Sequence, residues 1–296
     1  MKKISIAILS PGDMGHAVGQ ALLKSGHKVY TCLAGRSERS HILSEKAGIK
    51  NLPILTELIR NVDLVLSILP PDKAVGLADK VADEIKETKT CPVFVDCNAV
   101  SPATVQVIAK KIESAGATFI DSGIIGLAPG KESGFGPRFY VSGPDTAILS
   151  KIDGCGLKIV PIGKEIGKAS GIKMCYAALT KGAMTLQTAA LLTAENLCLS
   201  DEFVSELAYS QREVLKQMEN RVPRLPADSK RWEAEMYQIA ETFRDAGVTS
   251  RFHEGAAEIF SLLGSTPFAE ETRETLDMNR GLSEAVKIYV QSLNKR

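Results

Sequence analysis

The sequence lacks any excess of charge, since 36 lysines and arginines oppose 35 aspartates and glutamates. A net charge of +1 provides no long-range field that would hold the chain on nucleic acid or on an anionic membrane. Long apolar runs are missing as well, because no stretch approaches the roughly 20 residues of a membrane span. We therefore expect a soluble protein that acts on a small molecule, with neither nucleic acid nor membrane as its partner.

Motifs that would bind a metal or form disulfides are also missing. The six cysteines show no C-x-x-C spacing, and the four histidines are not spaced as metal ligands with each other or with cysteines. We expect reduced thiols and no metal. The apolar run Ile4 to Leu9 ends at Pro11 and is shorter than the roughly 7 to 15 residues of a signal peptide's apolar segment, which predicts a cytoplasmic protein.

The order of sequence patterns predicts two domains, residues 1–165 and 166–296. The first part alternates short β-rich runs with helical patterns, as in an α/β fold with a Rossmann-like, doubly wound parallel sheet. After Gly167 the pattern predicts only helices, which makes an all-α C-terminal domain. The first helix of the C-terminal domain would be long, from about Gly167 to Asn196. Further helices are expected near Ser200, after Pro226, near Thr249 and near Phe268.

A glycine turn near the start of the chain predicts a dinucleotide site. The expected strand Ile4 to Leu9 leads into a turn and then a helix, and glycine there lets a pyrophosphate approach the backbone N–H groups at the helix start. Gly12 and Gly15 fill two of the three glycine positions of the motif, and Ser10 stands at the first. The alternative is a tight turn without a ligand. The residues of this expected contact are Ser10, Gly12, Asp13, Met14 and Gly15.

The segment after the second expected strand favours NADP(H) over NAD(H). An NAD-selective protein usually carries an acidic residue there to bind the ribose hydroxyls. This chain instead has Arg36, Ser37 and Arg39, whose guanidinium and hydroxyl groups suit a 2′-phosphate. The alternative is a solvated basic loop in which Glu38 offsets part of the charge.

Five segments together resemble the β-hydroxyacid dehydrogenase superfamily, which includes 6-phosphogluconate and 3-hydroxyisobutyrate dehydrogenases and the related imine reductases. The glycine turn with the later K-x-G-H-like ending resembles the cofactor fingerprint, and residues 67–70 resemble the segment beside the nicotinamide ribose. Residues 96–102 stand at the family's D-x-S-T-x-x-P, residues 121–126 at its D-x-P-V-S-G, and residues 163–177 at its G-x-x-x-K-x-x-N-N. The sequences of several segments resemble those of a branch of the superfamily whose C-terminal domain has no assigned function.

The resemblance implies roles for individual residues. It places Lys173 at the catalytic lysine, with Tyr176 and Asn98 as further catalytic candidates. Leu69, Pro70 and Asn98 would contact the cofactor, and substrate would be bound by Ser122, Gly123, Ile124, Lys173 and Tyr176. Two departures leave the substrate class open, because Ile125 replaces the family's serine and Tyr176-Ala177 its asparagine pair.

These observations predict an NADP(H)-dependent oxidoreductase that transfers hydride to or from a small hydroxyacid, alcohol or ketone. A lysine whose pKa is lowered by desolvation can give and take the proton that accompanies the hydride. Two alternatives stay open, namely an imine reductase and a sensor that binds NADP(H) without turnover. The resemblance also implies a homodimer formed through the C-terminal helical domain.

Overall fold

The computed structural model describes residues 3–130 and 136–293. The chain divides into two compact units, the first ending at Met174 and the second beginning at Cys175. The described part of the first unit contains one sheet of eight strands. The strands are β1 Ser5–Leu9, β2 Lys28–Thr31, β3 Lys50–Asn51, β4 Leu64–Ser67, β5 Val93–Asp96, β6 Phe119–Ile125, β7 Arg138–Ser142 and β8 Lys158–Pro161.

The strand order confirms the predicted fold class. It runs β3-β2-β1-β4-β5-β6-β7-β8, and its first six strands follow the 3-2-1-4-5-6 order of doubly wound dinucleotide-binding sheets. The strands from β3 to β6 are parallel to their neighbours. Strand β4 is buried along its whole length, which explains why its sequence is an uninterrupted apolar run before Ser67.

One strand departs from the expected parallel arrangement, because β7 pairs antiparallel with β6. Only residues 126–137 connect the two strands. A parallel connection usually runs through a crossover helix, and the described residues of this twelve-residue connection form none. The sheet is therefore mostly parallel.

Helices cover both faces of the sheet in the first unit. They pack on two apolar clusters, one of which contains Leu9, Phe94 and Phe119 and the other Ile8, Leu22 and Val95. At the start of the fifth helix, the Ser101 side chain accepts a hydrogen bond from the backbone N–H of Thr104 and Pro102 occupies the first turn. The helices are α1 Asp13–Lys24, α2 Glu38–Ala47, α3 Leu55–Arg60, α4 Ala74–Thr88 and α5 Pro102–Ser114.

The C-terminal part of the chain is helical, as predicted. The long helix α6 spans Lys168–Asn196, and α7 Ser200–Ser210, α8 Arg212–Arg221, α9 Pro226–Asp245, α10 Arg251–Leu263 and α11 Leu282–Leu293 follow it. The helix expected near Phe268 is wrong, because the chain there makes only a short 3₁₀ turn, Pro267–Glu270. The hydroxyl of Thr275 accepts the backbone N–H of Thr272 at 2.9 Å, a local bond that competes with a helical one.

No helix within residues 3–130 and 136–293 is long and apolar enough to cross a membrane.

Candidate functional site

The glycine turn lies between the end of β1 and the start of α1. Ser10, at the motif's first glycine position, keeps a glycine-like backbone with φ of 67°, a conformation that costs a residue with a side chain about 1–2 kcal/mol. A Cβ on Gly15 would lie 3.0 Å from the carbonyl oxygen of Ser10, so the helix approaches the strand too closely for a larger residue. At Gly12, by contrast, no heavy atom of the described residues lies within 4 Å of a Cβ position.

The start of α1 has the features that a phosphate site requires. The N-cap residue is Gly12, which has no side chain to accept a hydrogen bond from the first turn. The N–H groups of a first helical turn have no partners inside the helix and carry the positive end of the dipole. The open space at Gly12 therefore leads to donors that could hold a pyrophosphate.

The predicted 2′-phosphate loop and the glycine turn meet in the structure. Arg39 Nη2 lies 2.6 Å from Asp13 Oδ1, and both side chains are partly exposed. Ser37 caps α2 by accepting the backbone N–H of Ser40. Arg36 follows Gly35, which has a φ of 70°, and donates its backbone N–H to Leu33 O at 3.0 Å. The first turn of α2 thus places the guanidinium of Arg39 at the start of α1.

Asn98 joins the carboxyl ends of two neighbouring strands. Its Oδ1 accepts the backbone N–H of Leu69 at 2.7 Å, and its Nδ2 donates to Ser67 Oγ at 3.0 Å and to Asp96 Oδ2 at 2.7 Å. The residue is 2% exposed. The amide, which was expected to reach substrate or cofactor, makes these hydrogen bonds inside the protein, where it fixes the backbone before Pro70.

Two buried carboxyl groups lie side by side in the sheet. Asp96 on β5 and Asp121 on β6 are partners in the strand register. Burial raises the pKa of Asp96 to about 7, although hydrogen bonds from Asn98 act in the opposite direction. Burial also raises the pKa of Asp121, against the lowering effect of several hydrogen bonds.

The expected substrate segment lies along β6, next to the start of α6. Lys173 Nζ donates to the backbone oxygen of Ile124 at 2.6 Å. A Cβ on Gly123 would lie 2.8 Å from Lys173 Cβ, so the two backbones are in close contact. Ser122 is fully buried, and its side chain does not reach a solvent-accessible surface. The structure therefore brings Gly123, Ile124 and Lys173 together, whereas the side chain of Ser122 is buried inside the protein.

Tyr176 lies one turn further along α6 and is 49% exposed. Its backbone oxygen accepts a hydrogen bond from Thr180 Oγ1 at 3.1 Å.

Two arrangements were not predicted from the sequence. The carboxylate of Asp121 accepts hydrogen bonds from the start of α6, and in the second unit Lys181 pairs with Glu235 at 2.5 Å in a largely buried setting. The partners are 46 to 54 residues apart along the chain. The sequence signal was limited to an aspartate in a resembling segment and a lysine in an apolar helix.

Within the described ranges no cluster of metal-ligating side chains is present.

Comparison with known proteins agrees with this geometry. Residues 5–151 match the family described as the NAD binding domain of 6-phosphogluconate dehydrogenase, and residues 194–263 match a domain of unknown function (DUF1932). An uncharacterized 28.5 kDa protein of Methanothermus fervidus is 30% identical over 202 residues, which cover 68% of this chain and 75% of the relative. The mitochondrial 3-hydroxyisobutyrate dehydrogenase of Drosophila melanogaster is 27% identical over 176 residues, which span 58% of this chain and about half, 52%, of that enzyme.

Solved structures show the same fold. A conserved protein of unknown function, described as structurally similar to 3-hydroxyacid dehydrogenases, has a TM-score of 0.61 at 25% identity and covers 88% of this chain and 96% of its own. A Mycobacterium tuberculosis 3-hydroxyisobutyrate dehydrogenase with L-serine has a TM-score of 0.65 at 17% identity, with 97% and 99% coverage. An imine reductase from Myxococcus stipitatus in complex with NADP⁺ has a TM-score of 0.54 at 17% identity, with 96% and 99% coverage.

The sheet order, the glycine turn and the matched cofactor domain define an NAD(P)-dependent oxidoreductase. The chain belongs to the 3-hydroxyacid dehydrogenase superfamily, in the branch that combines this cofactor domain with the C-terminal domain of unknown function.

Proposed function

We propose that the protein transfers hydride between NADP(H) and a small hydroxyacid, alcohol or ketone, with Lys173 as the proton donor and acceptor. The observation that carries this proposal is the contact of Lys173 Nζ with Ile124 O at 2.6 Å, on the strand that corresponds to the family's substrate segment. An ammonium group in this position holds a proton where a carbonyl oxygen of the substrate would gain charge.

The residues of the first unit fit a dinucleotide. The open approach to Gly12 and the uncapped start of α1 suit the pyrophosphate. Leu69 and Pro70 would border the nicotinamide ribose, on backbone that Asn98 holds through the N–H of Leu69. When bound, the nicotinamide supplies or accepts the hydride.

Lys173 would move the proton that accompanies the hydride. During reduction its ammonium would give a proton to the oxygen of the substrate as negative charge develops there, and during oxidation the neutral amine would take the proton back. A lysine has three N–H donors, and the bond to Ile124 O orients Nζ.

Selectivity for NADP(H) is proposed from the basic loop. Arg36 and Arg39 would grip the 2′-phosphate, and the Ser37 hydroxyl would add a hydrogen bond. Arg39 already lies at the glycine turn through its contact with Asp13, which supports this assignment.

An imine reductase is the second candidate. Two observations favour a less anionic substrate than a hydroxyacid, namely the burial of Ser122 and the apolar Ile125 at the family's serine position. Tyr176, half exposed on α6, would be the additional polar contact. A protein that binds NADP(H) as a sensor would lack turnover with either substrate class.

We also propose a homodimer formed through the C-terminal helical domain. In the second unit, α6 exposes Leu179 and Leu186, two turns apart, by 74% and 72%. Apolar side chains seven residues apart lie on one face of a helix, and large exposed apolar faces mark interfaces. Light scattering of the parent protein and of Leu186→Glu would test this, with a dimer expected for the former and a monomer for the latter; a monomeric parent would refute it.

The catalytic proposal is tested by turnover of the variant Lys173→Met with NADPH and a panel of carbonyl and imine substrates. We expect turnover to be lost while NADPH affinity is retained. Lys168→Met is the matched control, because Lys168 lies on the same helix, half exposed, and pairs with Glu165 at 3.0 Å. Retained turnover in Lys173→Met would show that Lys173 is not the proton-transfer residue.

A further inference from the structure

The start of α6 is held by a side chain from a distant strand. Three backbone N–H groups, those of Gly167, Ala169 and Ser170, donate to Asp121 Oδ2 at 2.8, 3.0 and 3.1 Å. The Ser170 hydroxyl donates to the other carboxylate oxygen at 2.6 Å. First-turn N–H groups of a helix have no partners within it, and a carboxylate from β6 accepts those of Ala169 and Ser170 together with that of Gly167 just before the helix.

A second strand contributes to the same anchor. Ser142 Oγ, on β7, donates to Asp121 Oδ2 at 3.1 Å and accepts the backbone N–H of Ala169 at 3.1 Å. Asp121, Ser142 and Ser170 are all buried to 99% or more. A buried carboxylate without such donors would be strongly unfavourable, so the donors and the anchor depend on each other.

The anchor and the lysine are connected by a direct backbone contact. Two residues after Asp121, a Cβ on Gly123 would lie 2.4 Å from the backbone oxygen of Ala169 and 2.8 Å from Lys173 Cβ. The next residue, Ile124, accepts the hydrogen bond of Lys173 Nζ. Strand β6 therefore contacts the first turn of α6 through Asp121 and the following turn through Gly123 and Ile124.

We infer that Asp121 is a positioning residue that fixes α6 against β6 and thereby sets the place of the Lys173 amine. This inference rests on the proposed function for its effect on turnover, but the structural part stands without it. The hydrogen bonds of Asp121 to α6 are made to the start of the helix, so it acts on Lys173 through the helix backbone. Misplacement of a reacting group by about 1 Å can reduce a rate about 100-fold, so the anchor would matter for catalysis.

Replacing Asp121 by alanine and by asparagine separates anchoring from charge. Asp121→Ala removes every acceptor, so we expect faster amide exchange at residues 167–174, faster acetylation of Lys173 by acetic anhydride, and a kcat reduced by about 10- to 100-fold. The KM for NADPH should stay close to that of the parent protein. Asp121→Asn keeps an amide oxygen for the N–H groups and an NH₂ that can donate to Ser170 Oγ, so it should restore slow exchange and most of kcat.

Asp96→Ala is the matched control for loss of a buried carboxylate, because Asp96 is the register partner of Asp121 but accepts hydrogen bonds from Asn98. It should leave exchange in α6 and acetylation of Lys173 unchanged. If Asp121→Ala does not fold, Ser142→Ala replaces it as the test of the anchor. This variant removes one donor to Asp121 and one acceptor for Ala169, so amide exchange, acetylation of Lys173 and kcat should change in the same direction by smaller amounts.

Unchanged amide exchange and acetylation in Asp121→Ala, or in Ser142→Ala if the former does not fold, would overturn the inference. It would also be overturned if Asp121→Asn restored slow exchange without restoring kcat. Acetylation and exchange are measured without substrate. Retained turnover in Lys173→Met would therefore refute the catalytic role of Lys173 and leave the effect of Asp121 on the lysine's position measurable.

Discussion

The guanidinium of Arg39 lies 2.6 Å from the carboxylate of Asp13, which joins the first turn of α2 to the first residue of α1. The pair is partly exposed, so its own contribution to stability is about 0–1 kcal/mol. Its consequence is positional, because it holds a cation at the helix start where a dinucleotide phosphate would be bound.

Replacement of Arg39 by glutamine should weaken NADPH binding selectively. Loss of a charge-assisted contact to the 2′-phosphate is expected to raise the Kd for NADPH about tenfold, worth about 1.4 kcal/mol, and to leave the Kd for NADH nearly unchanged. Calorimetric titration measures both constants. Arg60→Gln, at an exposed position in α3, is the control and should change neither. If Arg39→Gln weakened the binding of NADPH and NADH equally, the proposed contact of Arg39 with the 2′-phosphate would be contradicted.

Asp96→Asn should alter how stability depends on pH. Burial raises the pKa of Asp96 to about 7, so between about pH 4 and 7 the folded protein binds more protons than the unfolded chain, and this residue lowers stability as pH rises. An asparagine does not titrate. The Tm of the variant, measured against that of the parent, should therefore increase from pH 5 to pH 8, and a difference that stays constant with pH would exclude an ionisable Asp96 of raised pKa.

Gly123→Ala should destabilise the first unit. The added Cβ would lie 2.4 Å from a backbone oxygen, and backbone cannot rotate away as a flexible side chain can. We expect a loss of about 1–3 kcal/mol. Gly76→Ala in α4 is the opposite control, because no described atom lies within 4 Å of its Cβ position, and it should gain about 0.4–1 kcal/mol. Urea unfolding of both variants provides the test, and equal midpoints would disprove the close approach.

Lys181→Met should destabilise the second unit by about 3–5 kcal/mol, since it leaves Glu235 buried with a lost partner. Glu235 keeps its contact with Arg231 at 3.1 Å, which places the expected loss toward the lower end. The double variant Lys181→Met, Glu235→Leu should recover part of the loss. Thermal unfolding measures both effects. A double variant that loses more stability than the two single variants together would contradict the pairing of Lys181 with Glu235.

Local signals predicted the fold well. Ser101 and Pro102 indicated a helix start because a cap and its first turn are adjacent in sequence, and the glycine turn indicated a strand-to-helix junction for the same reason. The direction of β7 and the 3₁₀ turn at Phe268 were not predicted. The described residues between β6 and β7 include no crossover helix, and a local bond between Thr272 and Thr275 lies where a helix was expected.

The site was predictable only where a resembling motif named the residue type. The environment of each side chain depends on partners far along the chain. Asn98 was expected to contact substrate or cofactor, and the partners of its amide, Ser67 and Leu69, stand about 30 residues earlier in the chain. Asp121 received no role from the sequence, because its partners begin 46 residues later, at the start of α6.

The central claim, an NADP(H)-dependent oxidoreductase, is tested most directly by calorimetric titration of the purified protein with NADPH and separately with NADH. The account predicts that NADPH binds at least about tenfold more tightly, a difference of about 1.4 kcal/mol or more. A preference for NADH would overturn the assignment of Arg36 and Arg39 and leave the oxidoreductase intact. Binding of neither cofactor would contradict the claim itself.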